Sequence, residues 1–543
     1  MSKNQKVIFT IILAVFLGSR FLGLGQIYHQ DEYRWATIVN PVFNDGNSPH
    51  PPITQLSLEI TGQIFGYDHL RIAPLIFSML CLLLIFLVSF RISKKIPVAI
   101  LAVFLFTIST YSYIANLQID IDGAVLPFFG LLTFYSYWMV FKEKKPQWGV
   151  VLAIAVVGGF LTKLSFVLFI LALVADHLLD IWRSKLSRGK LKSLLPLAGL
   201  LLMGVVIFVL FLSKMSFIID YAEHFKSLDF TSRAYFDLAF KIFKSLVWLS
   251  PILTLPVIAG LLNREYVLKY RFWYLYLLAN LLFYVVLFDF SRLTIERYFM
   301  FMIVPAVFIS AQWLYDAWVG IKLNKKVLIT SILVFVALAI FAVYANPQVL
   351  PLNPKIAYVN KIKHLDFNFL IPMTGGSGPI GFYVSALFVL VVWVVGVSGA
   401  LAVIYRYKYK NALLLLFLVF GIGYNLVLTN ENVFGSMYGS VDGIAKMGLG
   451  YIDKNPNIKE VITYYDTGAY YLREFHKYSS RFYTAPTRDY TKKLTEYRGH
   501  YMIVDFPAID KSSDYWKLIN RCPIDKKFND KKVDIYIFDC QKI

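Results

Sequence analysis

Long apolar runs separated by short polar breaks make up most of the chain before residue 429. An uninterrupted apolar stretch of about 18–20 residues is typical of a helix that crosses a lipid bilayer. By that criterion the sequence predicts about thirteen membrane-spanning helices. Their approximate bounds are 7–24, 70–90, 96–115, 123–141, 149–161, 164–182, 194–212, 246–262, 272–288, 298–318, 327–344, 380–404 and 412–428.

The breaks between these runs alternate between strongly basic and less basic segments. If Lys3 and Lys6 lie in the cytoplasm, every second break carries a cluster of Lys and Arg, as cytoplasmic loops of membrane proteins do. No small-residue cleavage site follows the first run, which is therefore expected to be an uncleaved anchor. The pattern predicts a multi-pass protein of the plasma or inner membrane with a cytoplasmic N-terminus. Everything after about Thr429 is then expected outside the cytoplasm.

Residues 429–543 are markedly more charged than the preceding part of the chain. Strand-like runs at Val461 (VITYY) and Tyr501 (YMIVDF) alternate with a helical pattern, DTGAYYLREF, in which Asp466 is expected to be the N-cap. The sequence therefore predicts two domains, a transmembrane domain over residues 1–428 and a small extracytoplasmic α/β domain over residues 429–543.

Composition agrees with a membrane protein. Of the residues, 58% are hydrophobic and 16% are charged, and the mean hydropathy is +0.59, which excludes a soluble multidomain enzyme. A net charge of +20 would suggest nucleic-acid binding, but the basic clusters follow the cytoplasmic breaks, so no nucleic-acid partner is expected. The three cysteines form no metal-binding pattern. Cys522 and Cys540 bracket two late strand-like runs, and they form either a disulfide or two unpaired thiols of a small core.

The first outer loop holds the most informative candidates. Asp31 and Glu32 are adjacent and follow the first span directly, so one carboxylate could take a proton from an attacking hydroxyl while the other orients it. The alternative is a solvated pair that stabilises a helix N-terminus. His50 lies among three prolines and could donate to a phosphate or simply pack in the loop. Residues 53–65 after it are amphipathic and are expected along the membrane interface.

Further polar residues lie at outer span ends. Asp120 and Asp122 precede the fourth span and could join a catalytic site, bind a metal or cap the helix. Lys163, Arg292 and Arg297 depart from the cytoplasmic placement of basic residues. They could bind a lipid-linked phosphate or extend to outer-leaflet head groups. Glu296 is expected to hold the Arg297 guanidinium in place.

Several common catalytic motifs are missing from the sequence. The glycines at 375, 376 and 378 lack the strand–loop–helix context and the lysine of a nucleotide-binding loop, and a flexible lid is the expected reading. The sequence contains neither GxSxG nor HExxH. Nucleotide-driven chemistry is therefore not expected.

Three segments in order resemble a known family. They are HQDEYRWATIV, then PHPP, then LEITGQIFGYDHLRIAPLIFS, and they are similar to the start of the GT-C membrane glycosyltransferases. The most similar groups are the protein O-mannosyltransferases and the aminoarabinose transferases that modify lipid A. The resemblance extends to the Asp before the fourth span, to LTK at 161–163 and to ERY at 296–298.

The resemblance implies an inverting transfer, outside the cytoplasm, from a monosaccharide linked to polyprenyl phosphate. It implies Asp31 as general base, Glu32 as the residue that positions the acceptor, and Asp122 as the second acid. Lys163 and Arg297 become candidates for holding the donor phosphate, with His50 and Arg292 beside them. No cofactor is expected, and a divalent metal at Asp31, Asp120 or Asp122 is the alternative. The lipid A enzymes have Lys where this chain has His50, and this favours a mannosyltransferase-like or other envelope acceptor over lipid A.

The sequence thus predicts a polytopic α-helical membrane glycosyltransferase with a C-terminal α/β domain. Its expected partners are the lipid bilayer, a polyprenyl-phosphate sugar and a hydroxyl acceptor on a protein, a lipid or an envelope glycan. A transporter or flippase of a lipid-linked sugar is the alternative, but it would be expected to place ionisable groups at mid-membrane. A non-catalytic envelope assembly protein is a third reading, in which the carboxylates would be dispensable.

Overall fold

The computed structural model describes residues 1–43, 51–183, 234–287, 296–319, 324–345, 347–351, 356–374, 380–474 and 498–542, with positions 199, 202, 204, 206 and 321. The chain is mostly helical. Within these ranges eight helices are long and apolar enough to cross a membrane, and there are up to ten if each of two bent pairs is one span. This confirms a multi-pass membrane protein, while the predicted number of thirteen stays a prediction because residues 194–212 lie mostly outside the described part.

The described residues up to 183 form helices and short turns. The helices are α1 Lys3–Phe21, α2 Gln30–Val39, α3 Pro52–Phe65, α4 Ile72–Ser93, α5 Ile96–Ile108, α6 Thr110–Leu117, α7 Leu126–Tyr137, α8 Gly149–Phe160 and α9 Val167–Arg183. Short π-helical segments cover Ile121–Val125 and Trp138–Lys142, and 3-10 turns cover Tyr67–His69, Pro146–Trp148 and Leu164–Phe166.

Helices continue in the second half and are joined there by strands. The helices are α10 Tyr235–Leu249, α11 Pro251–Leu261, α12 Arg264–Lys269, α13 Arg271–Leu282, α14 Ile303–Trp318, α15 Lys325–Tyr344, α16 Ile356–Lys363, α17 Ala386–Ile404, α18 Lys410–Phe434, α19 Val441–Lys454, α20 Ala469–Glu474 and α21 Asp514–Ile519. A π-helical segment covers Phe283–Leu287, and 3-10 turns cover Glu296–Met302 and Tyr464–Asp466. The strands are β1 Gln348–Val349, β2 Phe369–Thr374, β3 Gly381–Ser385, β4 Val461–Thr463, β5 His500–Asp505, β6 Ile524–Asp530 and β7 Val533–Asp539.

One compact unit contains residues 1–24, 38–322 and 403–406. Two of its apolar runs are bent rather than straight. α5 and α6 meet at Ser109 with a bend of 70°, and α10 and α11 meet at Ser250 with a bend of 108°. Ser250 precedes Pro251, which disfavours the helical conformation for the residue before it. The prediction of one continuous helix over 96–115 is wrong, because the helix bends by 70° at Ser109. The Ser109 side chain accepts from the Ser112 amide as the N-cap of α6.

The second compact unit contains residues 25–37, 323–402 and 407–543. It holds a three-stranded sheet in which β1 is parallel and β3 antiparallel to β2. The predicted span over 380–404 is wrong at its start, because residues 381–385 pair with β2 as β3 and the helix begins only at Ala386. The predicted domain boundary at residue 428 is a different division from these compact units and stays a prediction.

A four-stranded sheet with the order β4-β5-β7-β6 lies in the C-terminal part of this unit. β4 and β5 are parallel, the other pairs are antiparallel, and α19 packs against β5, β6 and β7. The strands expected at Val461 and Tyr501 are present as β4 and β5. Asp466 is not the N-cap of the following helix, because it lies in the 3-10 turn with a φ of +54° and α20 begins only at Ala469.

Candidate active site

Asp120 and Asp122 are brought to one short turn at the start of the fourth predicted span. Asp120 is the N-cap of the π-helical segment, and its side chain accepts from the Ile121 amide at 2.7 Å. Gly123 lies so close to α6 that a Cβ atom there would be 2.2 Å from the Ala115 carbonyl oxygen. A side chain at this position would push the turn that carries both carboxylates away from α6.

Lys163 forms an ion pair with Asp122. Its Nζ lies 2.7 Å from each carboxylate oxygen, and the two side chains are only 10% and 12% exposed. The Lys163 backbone is held where α8 ends, since its amide donates to the Gly159 carbonyl oxygen at 3.0 Å. The sequence suggested separate roles for this cation and this acid, and the structure joins them in one buried pair.

Arg297 forms a second ion pair beside the first. Its Nη1 lies 3.2 Å from Oδ2 of Asp120, which is 6% exposed. The ring of Tyr298 lies near both cations, with its centroid 5.2 Å from Lys163 Nζ and 5.4 Å from Arg297 Cζ. Burial raises the pKa of Asp120, and the guanidinium opposes that rise. Two acids, two cations and one aromatic ring thus form a compact cluster, which we call the paired-charge cluster.

An open pocket adjoins this cluster, with a volume of about 610 Å³ that includes the solvent at its mouth. Asp122 and Tyr298 line one part of it, and the remaining wall is mostly apolar and aromatic. The other lining residues are Leu126, Pro127, Gly130, Leu131, Ser165, Phe166, Phe169, Trp273, Tyr276, Asn280, Tyr284, Met300, Phe301 and Val304. Apolar walls with a few polar groups are typical of sites for amphiphilic small molecules.

Asp31 and Glu32 lie in the first turn of α2, in the second compact unit. Glu32 is 1% exposed, and its carboxylate accepts from the His29 amide at 3.1 Å. The Asp31 amide donates to Nδ1 of His29 at 3.3 Å. The reading of a solvated loop pair is wrong, because Glu32 is buried and Asp31 is half-buried. The expected stabilisation of a helix N-terminus is present, because the Glu32 carboxylate in the first turn of α2 accepts from the His29 amide.

Some of the sequence candidates lie outside the described residues. These are His50, Arg292, the side chain of Glu296 and the three glycines at 375, 376 and 378. Their expected roles stay predictions. Cys522 and Cys540 are described, and their sulfur atoms are bonded to each other, with the Cα atoms 5.1 Å apart. This leaves Cys81, which is buried, as the free cysteine.

Among the described residues, three buried cations were not singled out from the sequence: Arg20, Arg71 and Lys244. Arg20, 1% exposed, donates from Nη1 to the Thr107 carbonyl oxygen at 2.7 Å, where the bend after α5 leaves that carbonyl without its helical partner. Lys244, 5% exposed, lies on α10, which packs against α6 and against the 3-10 turn that carries Arg297. A charged residue inside an apolar run is a signal that could have identified Arg20. Lys244 lies just before such a run and gave no comparable signal.

Comparisons with known proteins agree with this architecture. The family model described as dolichyl-phosphate-mannose-protein mannosyltransferase matches residues 49–213. No curated protein matches the chain. Two solved structures of ArnT from Cupriavidus metallidurans are similar to it over nearly their whole length. The apo structure has a TM-score of 0.52 at 14% identity, covering 97% of each chain. The structure bound to undecaprenyl phosphate has a TM-score of 0.51 at 16% identity, covering 99% of this chain and 98% of that one. The chain therefore has the GT-C fold of the membrane glycosyltransferases.

Proposed function

We propose that the chain is an integral membrane glycosyltransferase that moves a monosaccharide from a polyprenyl-phosphate donor to a hydroxyl group of an extracytoplasmic protein, lipid or envelope glycan. The observation that carries this proposal is the paired-charge cluster in a chain with the GT-C fold. The ArnT structure that holds undecaprenyl phosphate has the same fold, which supports a donor of that lipid class.

The reaction is a displacement at the anomeric carbon of the donor sugar. The acceptor hydroxyl gives its proton to the Asp31 carboxylate, and its oxygen forms a bond to the anomeric carbon. The bond from that carbon to the phosphate oxygen breaks, and its electron pair stays on the phosphate. The products are an inverted glycoside and polyprenyl phosphate. Since the phosphate leaves as a stable anion, the reaction needs cations near it rather than a strong acid.

Lys163 and Arg297 supply that positive charge in the proposal. Asp122 holds Lys163 in place and Asp120 holds Arg297 in place. Neither cation therefore has to lose side-chain freedom when the donor binds. The planar guanidinium can hold two phosphate oxygens at once, whereas the ammonium acts as a point charge. With both cations available, the proposal assigns no role to a metal ion.

Glu32 acts on the acceptor through Asp31. Its carboxylate accepts from the His29 amide, and this contact fixes the first turn of α2, in which Asp31 lies. The proposal places this turn, the paired-charge cluster and the C-terminal sheet outside the cytoplasm, following the predicted distribution of basic residues.

The direct test is transfer by the purified protein in detergent. A panel of labelled polyprenyl-phosphate sugars is offered with peptide, lipid and glycan acceptors, and the expected result is a labelled glycoside and free polyprenyl phosphate. Detergent micelles have no two compartments, so a transporter or flippase would give no product there. Movement of the lipid-linked sugar across vesicles without any transfer in detergent would contradict the proposal and favour the flippase.

A further inference from the structure

The segment before Asp31 is hydrogen-bonded to residues that lie more than 400 positions later in the sequence. Gln26 donates from its side-chain amide to the Asn432 carbonyl oxygen at 2.9 Å. The Ile27 amide donates to Oδ1 of Asp442 at 2.6 Å. All of these residues belong to the second compact unit. Two consecutive residues just before α2 are thus hydrogen-bonded to the end of α18 and the start of α19.

Side-chain packing strengthens this attachment. Ile27 is 1% exposed and belongs to the same hydrophobic core as Ile444 and Met502, which come from α19 and β5. The ring of Tyr28 packs against Tyr470 and Tyr471 of α20, with centroids 5.2 and 5.9 Å away. The burial of Ile27 in this core and the ring contacts of Tyr28 with α20 fix the backbone to which α2 is joined.

Asp442 makes a second contact within its own helix. It lies in the first turn of α19, after the N-cap Ser440, and its second carboxylate oxygen lies 2.7 Å from Lys446 Nζ. Its side chain is 14% exposed. A charged acceptor makes a stronger hydrogen bond to an amide than a neutral one does. The Ile27 amide therefore has a charged and largely buried acceptor.

We infer that Asp442 is a positioning residue for Asp31, and that the C-terminal α/β region sets the place of the catalytic carboxylate. This inference rests on the proposed function. Asp31 follows Tyr28 by three residues, and His29 and Glu32 tie the intervening turn together. A displacement of about 1 Å at a catalytic group can cost about a hundredfold in rate. Loss of the Asp442 contact thus acts on the chemical step through the start of α2.

The first measurement is hydrogen exchange of the full-length protein, which needs no substrate. Asp442→Ala is expected to raise exchange at the Ile27 amide and through the first turn of α2 by about tenfold or more. Asp442→Asn keeps a side-chain oxygen acceptor and is expected to restore protection. Asp514→Ala is the matched control, because Asp514 also lies in the first turn of a Ser-capped helix and pairs with a lysine, Lys517. Unchanged exchange in Asp442→Ala would overturn the inference.

The second measurement is transfer kinetics. Asp442→Ala is expected to lower kcat by about 10- to 100-fold with little change in the KM for the donor, and Asp442→Asn to recover most of it. In an Asp31→Asn background the same substitution is expected to cost little more, since both act on one step. The inference would be overturned if Asp442→Ala had the kcat of wild type. It would also be overturned if Asp442→Ala lowered kcat by the same factor in the Asp31→Asn background as in wild type. If wild type transfers no sugar, the proposed function fails, and exchange alone decides whether Asp442 orders the segment.

Discussion

The ammonium of Lys163 lies 2.7 Å from both carboxylate oxygens of Asp122, and both side chains are nearly buried. Such a pair is costly to break, because removing one partner leaves the other charge buried without compensation. The pair therefore stabilises the fold, in addition to the proposed contact of Lys163 with the donor phosphate. These two roles can be separated by measuring stability and transfer on the same variants.

Single substitutions of this pair are expected to destabilise the protein more than their combination. Lys163→Gln or Asp122→Asn leaves one buried charge and should cost about 3–5 kcal/mol of unfolding free energy. The double variant carries no charge at these two positions and should recover part of that loss. Thermal unfolding in detergent measures the stability of the two single variants and the double variant. If the loss of the double variant equalled the sum of the two single losses, the two residues would not be paired.

Arg297→Lys is expected to weaken donor use although it keeps the charge. A lysine ammonium lacks the planar fork that holds two phosphate oxygens, so the KM for the donor should rise about tenfold. Arg297→Gln should raise it further. The control is Lys517→Gln, at an exposed lysine of α21. An unchanged donor KM in both Arg297 variants would remove this residue from the phosphate site.

The bond between Cys522 and Cys540 predicts a simple thiol count. Denatured protein that has not been reduced should bind one maleimide, at Cys81, and reduced protein should bind three. Cys522→Ser removes the disulfide that closes the loop between Cys522 and Cys540 in the unfolded chain. It should lower the unfolding free energy of the C-terminal region by about 3 kcal/mol. Three labels without reduction would show that the two thiols are unpaired.

Orientation in the membrane can be tested with single cysteines. In a background with the native cysteines replaced by serine, Asp453→Cys in α19 should react with an impermeant reagent on intact cells. Lys408→Cys, in the exposed turn before α18, should react only after the cells are opened. The reverse result would place the C-terminal sheet in the cytoplasm and contradict the proposed orientation.

Much of the membrane part could be predicted from the length of the apolar runs. The run predicted at 70–90 corresponds to α4, and that at 412–428 lies within α18. The break at Ser109 could not be predicted, because the run contains no glycine and its one proline, Pro97, lies at its start. The start of the predicted 380–404 span is a strand because its residues pair with β2, and run length carries no information about such a partner.

The candidate site was predictable residue by residue but not as an arrangement. Lys163 and Asp122 were each singled out by an unexpected charge at a span end, yet their pairing joins positions 41 residues apart. Asp442 gave no signal at all, and its contact with Ile27 spans 415 residues. Contacts at such separations depend on how the whole chain packs, which local patterns do not record.

The central claim is that Asp31 takes the proton of the acceptor hydroxyl, and its most direct test is the initial rate of transfer by purified Asp31→Asn. The amide is nearly the same size and cannot act as a base at neutral pH, so kcat should fall at least about a hundredfold. The KM for the donor should stay within about threefold, because the phosphate contacts are unchanged. Asp514→Asn should match wild type. Transfer by Asp31→Asn at the wild-type rate would contradict the account.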